Sequence, residues 1–164
     1  MLIKLRRVLH DIPAEQAVEW YHTVFSDEAD TDIMNFHNEL LSMSVYHFEQ
    51  RVRDLDELNE HVYYIISAVS GNVIGYASSY ESRWLEQPHG REFGIFIKNK
   101  YRGVGFGTEV IKQLEQLYLA PYVLSPLITN TRAINLYERL GYTNTNIISD
   151  ESGMLLMFKQ DLES

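Results

Sequence analysis

One short run of residues has three glycines in five positions and is the part of the sequence best suited to holding an anion. It lies between a predicted strand and a predicted amphipathic helix and consists of Arg102, Gly103, Val104, Gly105, Phe106, Gly107 and Thr108. Glycines let the backbone approach a ligand closely, and the first N–H groups of a helix lie unpaired at the positive end of its dipole. Such a turn favours a phosphate or pyrophosphate, and Arg102 can add charge-assisted hydrogen bonds.

Two well-known phosphate-binding motifs of similar composition do not fit this run. A Walker loop ends in Gly-Lys followed by Ser or Thr, whereas this run ends in Phe106, Gly107 and Thr108. A dinucleotide fingerprint would place its third glycine at position 108, which is Thr. Taken by itself, the run leaves open a second interpretation, a glycine-rich turn between strand and helix that binds no ligand.

A second segment of interest runs from Asn130 to Tyr142. Its apolar spacing predicts a short helix over 131–140, and Gly141 follows in the position that commonly ends a helix. Asn130 precedes the helix and can cap its first turn with its side chain. Tyr137 lies on the apolar face, and the periodicity alone interprets it as a core aromatic residue.

Composition excludes several classes of function. The chain has 164 residues and is predicted to form a single domain over 1–164. It has no cysteine, which rules out disulfides, thiolate metal sites and a cysteine nucleophile. Its six histidines lack the short spacings of zinc sites, so no metal is expected.

A net charge of −9 with only 14 basic residues argues against nucleic-acid binding. No apolar run is long enough for a signal peptide or a membrane span, which predicts a cytoplasmic protein without membrane contact.

The elements that must position these residues alternate between strand and helix patterns. Strands are predicted over 2–8, 62–69, 73–80, 91–97, 122–128, 142–149 and 154–159, and helices over 14–25, within 33–60, after the glycine run, and over 131–140. The helix after the glycine run is predicted to bury Phe106, Val110, Ile111, Leu114, Leu117 and Tyr118. Its opposite, polar face is predicted to carry Glu109, Lys112, Gln113, Glu115 and Gln116. The pattern indicates a strand-rich α/β domain.

Both chemical segments, in this order, resemble motifs of the GCN5-related N-acetyltransferase superfamily. Its coenzyme signature is Arg or Gln, two residues, Gly, one residue, then Gly or Ala, and Arg102, Gly105 and Gly107 match it. Its later motif, Asn, Ala-Ile, Leu-Tyr-Glu and Leu-Gly-Phe or Tyr, is matched between Asn130 and Tyr142. The resemblance covers roughly 62–159 and implies a mixed sheet of about seven strands, with helices on both faces and a splayed strand pair that forms the coenzyme cleft.

The resemblance also implies roles for individual residues toward acetyl-CoA, the co-substrate of the family. Backbone N–H groups of the run 102–108 would bind its pyrophosphate, and backbone groups of Phe96 and Ile97 would bind the pantetheine and position the thioester. Asn130 would contact the coenzyme as well as cap its helix. Tyr137 would be the catalytic acid, because a phenol within hydrogen-bond reach can protonate the departing thiolate. The strand that carries Ser125 and Pro126 would diverge from the coenzyme strand.

Glu92 is the candidate general base, since an ammonium group must lose a proton before it can attack a thioester. Glu81 and His89 are weaker alternatives, and a solvated residue at a strand end is the competing interpretation of Glu92. The resemblance extends to the branch of bacterial small-molecule and ribosomal-protein-alanine acetyltransferases. Several relatives place a catalytic glutamate on the neighbouring strand, whereas here that region reads Leu124, Ser125 and Pro126. This departure counts against a ribosomal-protein acetyltransferase.

The acidic residues are concentrated in the segment 26–60, which contains ten acidic residues and only two basic residues, Arg51 and Arg53. The acids are Asp27, Glu28, Asp30, Asp32, Glu39, Glu49, Asp54, Asp56, Glu57 and Glu60. Because members of the family build the acceptor wall in this part of the chain, the resemblance implies a cationic acceptor, such as a polyamine, an aminoglycoside-like molecule or a basic peptide terminus. A solvated helix face is the alternative.

These observations favour direct acetyl transfer to a primary amine in a ternary complex, with no acetylated enzyme intermediate. Two other classes of function stay open: a non-catalytic module that binds acyl-CoA and senses or regulates, and an interaction protein that binds a basic partner through its acidic helices. Members of the family often form dimers, so a homodimer is one expectation. The choice between acetyl and longer acyl groups is left open.

Overall fold

A computed structural model describes residues 1–25 and 43–161. In these ranges the strands are β1 (Ile3–Arg7), β2 (His61–Ser67), β3 (Val73–Glu81), β4 (Arg91–Ile97), β5 (Tyr122–Leu124), β6 (Thr143–Ile148) and β7 (Leu155–Lys159). The helices are α1 (Ala14–Phe25), α2 (Val45–Glu57), α3 (Phe106–Leu117) and α4 (Thr131–Arg139), with a short 3-10 helix at Asn99–Tyr101. No helix in these two ranges has the length and apolar character that crossing a bilayer requires.

The strands form one mixed seven-stranded sheet in the order β1-β2-β3-β4-β5-β7-β6, which confirms the predicted fold class. The parallel pair β4–β5 sits inside a sheet whose β1–β2, β5–β7 and β6–β7 pairs are antiparallel. Pairing between β4 and β5 covers only Arg91 with Tyr122 and Glu92 with Val123. After Glu92 the strand β4 continues for five residues, so most of its length lies beyond the paired part.

The chain divides into two compact units. The first comprises Met1–Ser78 and Ile95–Val110, and the second comprises Ser79–Gly94 and Ile111–Ser164. The predicted single domain over 1–164 therefore stays a prediction.

The first unit has an aromatic core between α1, α2 and its strands. Tyr21 contacts Phe25 and Phe48, with ring centroids 4.6 Å and 5.4 Å apart, and Phe25 stacks on Phe96 at 5.1 Å. Helix α2 buries only Phe48 and Val52 and carries exposed acids on its outer side. It confirms the predicted amphipathic helix in its part of 33–60, whereas the earlier part of that segment lies outside the described residues.

The second unit buries charged groups that the sequence pattern placed on a polar face. Glu115 on α3 is only 4% exposed and receives a hydrogen bond from the hydroxyl of Tyr142 at 2.8 Å. The ammonium of Lys159 lies 3.1 Å and 3.2 Å from the two carboxylate oxygens of Glu115. The predicted polar face was therefore wrong at Glu115, because a buried cation and a hydroxyl offset the cost of removing its charge from water. The predicted apolar face was wrong at Leu117, which is 57% exposed.

The fifth strand is shorter than predicted. It ends at Leu124 instead of continuing to 128, and Leu127 forms only an isolated bridge with Met154. Pro126 has no N–H to donate to a ladder, and its carbonyl accepts from the Leu155 N–H at 2.8 Å. A proline two residues after the paired segment accounts for the early end of the strand.

Candidate active site

The glycine run lies in the first unit and forms the turn that leads into α3. Gly103 and Gly105 have φ angles of +83° and +94°, a region that residues with side chains rarely adopt. A Cβ at Gly105 would meet only a side-chain atom of Leu2 at 3.9 Å, so backbone conformation and not lack of space requires glycine there. Glu109 is the first residue whose N–H bonds back into this turn, at 3.3 Å to the carbonyl of Gly105. The helical N–H groups before it have no partner within the helix, which suits the turn to an anion.

Arg102 is exposed, and its side chain is held against the end of β4. Its Nε donates to the carbonyl of Ile97 at 2.7 Å, and its guanidinium lies 5.3 Å from the centre of the Phe96 ring. These contacts place a positive charge beside the glycine run. The Ile97 carbonyl, one of the groups expected to bind pantetheine, thus already accepts one hydrogen bond from Arg102. The expected roles of Phe96 and Ile97 stay predictions.

Glu92 lies in the second unit and is 6% exposed, so the alternative of a solvated strand-end residue was wrong. Its Oε2 accepts hydrogen bonds from the hydroxyls of Tyr80 and Ser125, both at 2.9 Å. Burial raises the pKa of the Glu92 carboxyl, while hydrogen bonds from Ser125, Tyr80 and Ser82 and the charge of Arg83 oppose that rise. A carboxylate with a raised pKa is a stronger base than an exposed one, which suits it to accept a proton from the acceptor.

The two weaker candidates for the base have different surroundings. Glu81 is exposed at the end of β3. His89 is also exposed, and its Nδ1 lies 3.2 Å from the side-chain nitrogen of Gln87. Neither is enclosed by donors as Glu92 is, so the structure favours Glu92 among the three.

The remaining two predicted site residues lie just before helix α4 and within it. The side chain of Asn130 accepts from the Ala133 N–H at 3.1 Å, which confirms it as the helix cap. Tyr137 is half-buried, its ring lies 6.4 Å from that of Tyr142, and burial raises the pKa of its phenol. The phenol therefore stays protonated at neutral pH and can donate a proton. Its role as the acid, and the contact of Asn130 with the coenzyme, stay predictions.

The structure groups the predicted site residues by unit. The turn 102–108 lies with Phe96 and Ile97 in the first unit, and Glu92, Asn130 and Tyr137 lie in the second. Within the described ranges, no group of three or more His, Asp or Glu side chains is arranged to hold a metal ion.

The sequence reasoning did not find the hydrogen-bond partners of Glu92. Tyr80 lies beside Glu92 in a register in which the Ser82 N–H bonds to the Gly90 carbonyl at 2.9 Å. The sequence of the connection 82–90 does not indicate that register. Ser125 is distant in sequence, and no local pattern indicates its contact.

In a comparison with known proteins, one family model matches residues of both units. The sequence model of the Acetyltransferase (GNAT) family matches residues 15–142. An uncharacterized N-acetyltransferase of Methanocaldococcus jannaschii is 26% identical over 106 residues, which are 59% of this chain and 65% of that protein. The chain thus spans less than two thirds of the length of this curated relative.

Solved structures support the fold at low sequence identity. The spermidine N-acetyltransferase of Vibrio cholerae, in complex with CoA and spermine, is 19% identical with a TM-score of 0.70, covering 98% of this chain and 96% of the other. The aminoglycoside acetyltransferase AAC(6')-Ib, in complex with ribostamycin and coenzyme A, is 20% identical with a TM-score of 0.67, covering 98% and 94%.

Proposed function

Because the chain belongs to the Acetyltransferase (GNAT) family, we propose that it transfers the acetyl group of acetyl-CoA to a primary amine. The amine attacks the thioester directly in a ternary complex, and no acetylated enzyme forms. The observation that carries the proposal is Glu92, a buried carboxylate that accepts hydrogen bonds from the hydroxyls of Tyr80 and Ser125. A module that only binds acyl-CoA has no need of such a group, whereas amine acetylation needs a base.

The coenzyme is bound, in this proposal, by the turn 102–108. Its left-handed glycines and the start of α3 present N–H groups to the pyrophosphate, and Arg102 adds a positive charge at the same place. Backbone groups of Phe96 and Ile97 on β4 position the pantetheine and the thioester carbonyl. Asn130 contributes a further contact while its side-chain oxygen caps α4.

The chemistry requires that two protons leave the ammonium form of the acceptor. Glu92 receives the first, which frees the nitrogen lone pair to form the new N–C bond. The C–S bond then breaks as the amide forms, and the nitrogen releases its second proton to solvent. Tyr137 gives the proton of its phenol to the departing sulfur, so that free thiol is the product, and the resulting phenolate takes a proton back from solvent.

A cationic acceptor is proposed on grounds of charge. The protein carries a net charge of −9, and its acids are concentrated between 26 and 60. In the described part of that segment, the side chains of Asp54, Asp56 and Glu57 are exposed. Two structural neighbours are named as spermidine and aminoglycoside acetyltransferases, and both of those molecules are polyamines. A negative surface concentrates such acceptors near the protein.

The experiment is a titration of the purified protein with acetyl-CoA by calorimetry, followed by a thiol-release assay. The assay uses spermidine, spermine, kanamycin, free amino acids and basic peptides as acceptors, and propionyl-CoA is compared with acetyl-CoA. Binding together with thiol release for one class of amine supports the transferase. Binding without release for the whole panel favours the non-catalytic sensor, and absence of binding to either acyl-CoA overturns the proposal.

A further inference from the structure

Glu92 is the end of a chain of hydrogen bonds that lies wholly within the second unit. The indole Nε1 of Trp84 donates to the Oγ of Ser125 at 2.9 Å, and that Oγ lies 2.9 Å from the Oε2 of Glu92. Trp84 follows β3, Ser125 follows β5 and Glu92 lies on β4, so three separate segments supply the chain. Nothing in the proposed function assigns a role to Trp84 or Ser125.

The chemistry of the two end groups fixes the direction of the Ser125 hydroxyl. An indole nitrogen can only donate, and an ionised carboxylate can only accept. Ser125 must therefore accept from Trp84 and direct its own hydrogen toward Glu92. A hydroxyl oxygen has two acceptor sites, so the bond from Trp84 leaves it one more, which a further donor such as an ammonium group can occupy.

Exposure differs between the Glu92 carboxylate and the residues that donate hydroxyl hydrogen bonds to it. Glu92 is 6% exposed, whereas Ser125 and Tyr80 are half-buried. A donor arriving from solvent thus reaches a hydroxyl more readily than the carboxylate.

The charged surroundings distinguish the hydroxyls of Tyr80 and Ser125 from each other, and the third residue with a side-chain hydrogen bond to Glu92, Ser82, directly precedes Arg83 in the chain. The guanidinium of Arg83 lies 4.7 Å from the centre of the Tyr80 ring and would repel an ammonium group there. On the side of β5 the group in contact with Glu92 is the neutral Ser125 hydroxyl. Ser125 is therefore the better receiver of a cationic donor, and Tyr80 is a positioning residue that holds the carboxylate.

We infer that Ser125 is a catalytic residue that relays the proton of the acceptor amine to Glu92, a role that rests on the proposed function. The ammonium donates to Oγ of Ser125 while the hydroxyl hydrogen of Ser125 moves to Oε2 of Glu92. The step leaves a neutral amine, a neutral serine and a protonated Glu92, which later releases its proton to solvent. Trp84 positions the relay by holding the hydroxyl in the productive direction.

The test compares Ser125→Ala, Ser125→Thr and Trp84→Phe with the unchanged protein, using spermidine and kanamycin first as acceptors. Ser125→Ala is expected to lower kcat about 100-fold, the scale of a lost proton-transfer group. Ser125→Thr keeps the hydroxyl and should restore most of the rate, and Trp84→Phe should give an intermediate loss. The dissociation constant of acetyl-CoA, measured by calorimetry, should be the same in all four proteins, which also verifies that each is folded.

A second readout separates a relay from a merely structural hydroxyl. In the relay two protons move in one step. For the unchanged protein, a plot of kcat against the deuterium fraction in mixtures of H₂O and D₂O should therefore be curved. A straight line would overturn the relay. It would also be overturned if Ser125→Ala kept its kcat while Glu92→Gln lost it, a result that leaves the proposed function intact. Absence of thiol release by the unchanged protein with every amine overturns both.

Discussion

At the scale of single residues, two opposing effects determine how well Glu92 can act as a base. Removal from water disfavours the charged carboxylate and raises its pKa, and this is the larger effect. Hydrogen bonds from Tyr80 and Ser125 favour the charged form and limit the rise. The result is a carboxylate that is more basic than an exposed glutamate and is held in one orientation by its donors.

This balance predicts the pH dependence of the reaction. A base must be unprotonated, so kcat/KM should fall as pH decreases through the pKa of Glu92, with a midpoint above the usual value of 4.5 because the pKa is raised. Glu92→Gln should remove this limb and lower kcat by about 10²- to 10⁴-fold. Glu81→Gln, at an exposed position on the neighbouring strand, is the matched control and should retain both rate and profile. An unchanged acidic limb in Glu92→Gln would assign the limb to another group.

Tyr137 supports a second residue-scale prediction. Burial raises the pKa of its phenol, which therefore keeps its proton at neutral pH and can give it to the departing sulfur. Tyr137→Phe should lower kcat by about 100-fold without weakening acetyl-CoA binding, as measured by thiol release and calorimetry. Tyr46→Phe, at a site that is 70% exposed, is the control. Equal rates in Tyr137→Phe and the unchanged protein would show that the thiolate leaves without its help.

At the scale of elements, local patterns were informative where partners are close in sequence. Helix α4 begins after the predicted cap Asn130, and Gly141, with φ at +97°, follows its end. Helix α1 and strand β4 also have their predicted bounds. The buried position of Glu115 was missed because its partner Lys159 is 44 residues away, and helical periodicity contains no information about such a contact. For the same reason Ser125, the partner of Glu92 that follows β5 and is 33 residues away, was missed.

The turn before α3 gives a prediction at this scale. Gly105→Ala introduces a side chain at φ +94° and should destabilise the fold by about 1–2 kcal/mol, measured by denaturant unfolding. Because the strained turn would shift the N–H groups proposed to hold the pyrophosphate, the dissociation constant of acetyl-CoA should rise about tenfold, corresponding to about 1.4 kcal/mol of lost binding.

The control for this variant is Gly71→Ala. Gly71 also lies in the first unit, has φ at +75° and has no atom within 4 Å of the added Cβ. It should lose similar stability and keep its affinity for acetyl-CoA. Equal weakening of binding in both variants would attribute the effect to general destabilisation and would count against the turn as the coenzyme site.

At the scale of the whole molecule, the fold and the family were predictable from two short motifs and the order of elements. The mixed seven-stranded sheet and the family match at 15–142 confirm both. The acceptor was not predictable in the same way, because one scaffold serves many substrates and the residues that select among them follow no shared motif. The sequence does provide the net charge, which is −9. Electrostatic attraction acts over distances longer than those of direct contacts.

Salt dependence follows from that charge. If the acidic surface attracts the acceptor, the KM for spermidine should rise with NaCl, because added ions screen charges that are separated by more than about 10 Å at 0.1 M ionic strength. An acceptor with a single ammonium group should show a smaller rise, since the attraction scales with acceptor charge. Steady-state kinetics at saturating acetyl-CoA isolates this effect from any salt dependence of coenzyme binding. A KM for spermidine that does not change with ionic strength would leave the acidic residues as a solvated surface, and the acceptor would then be selected by contacts rather than by charge.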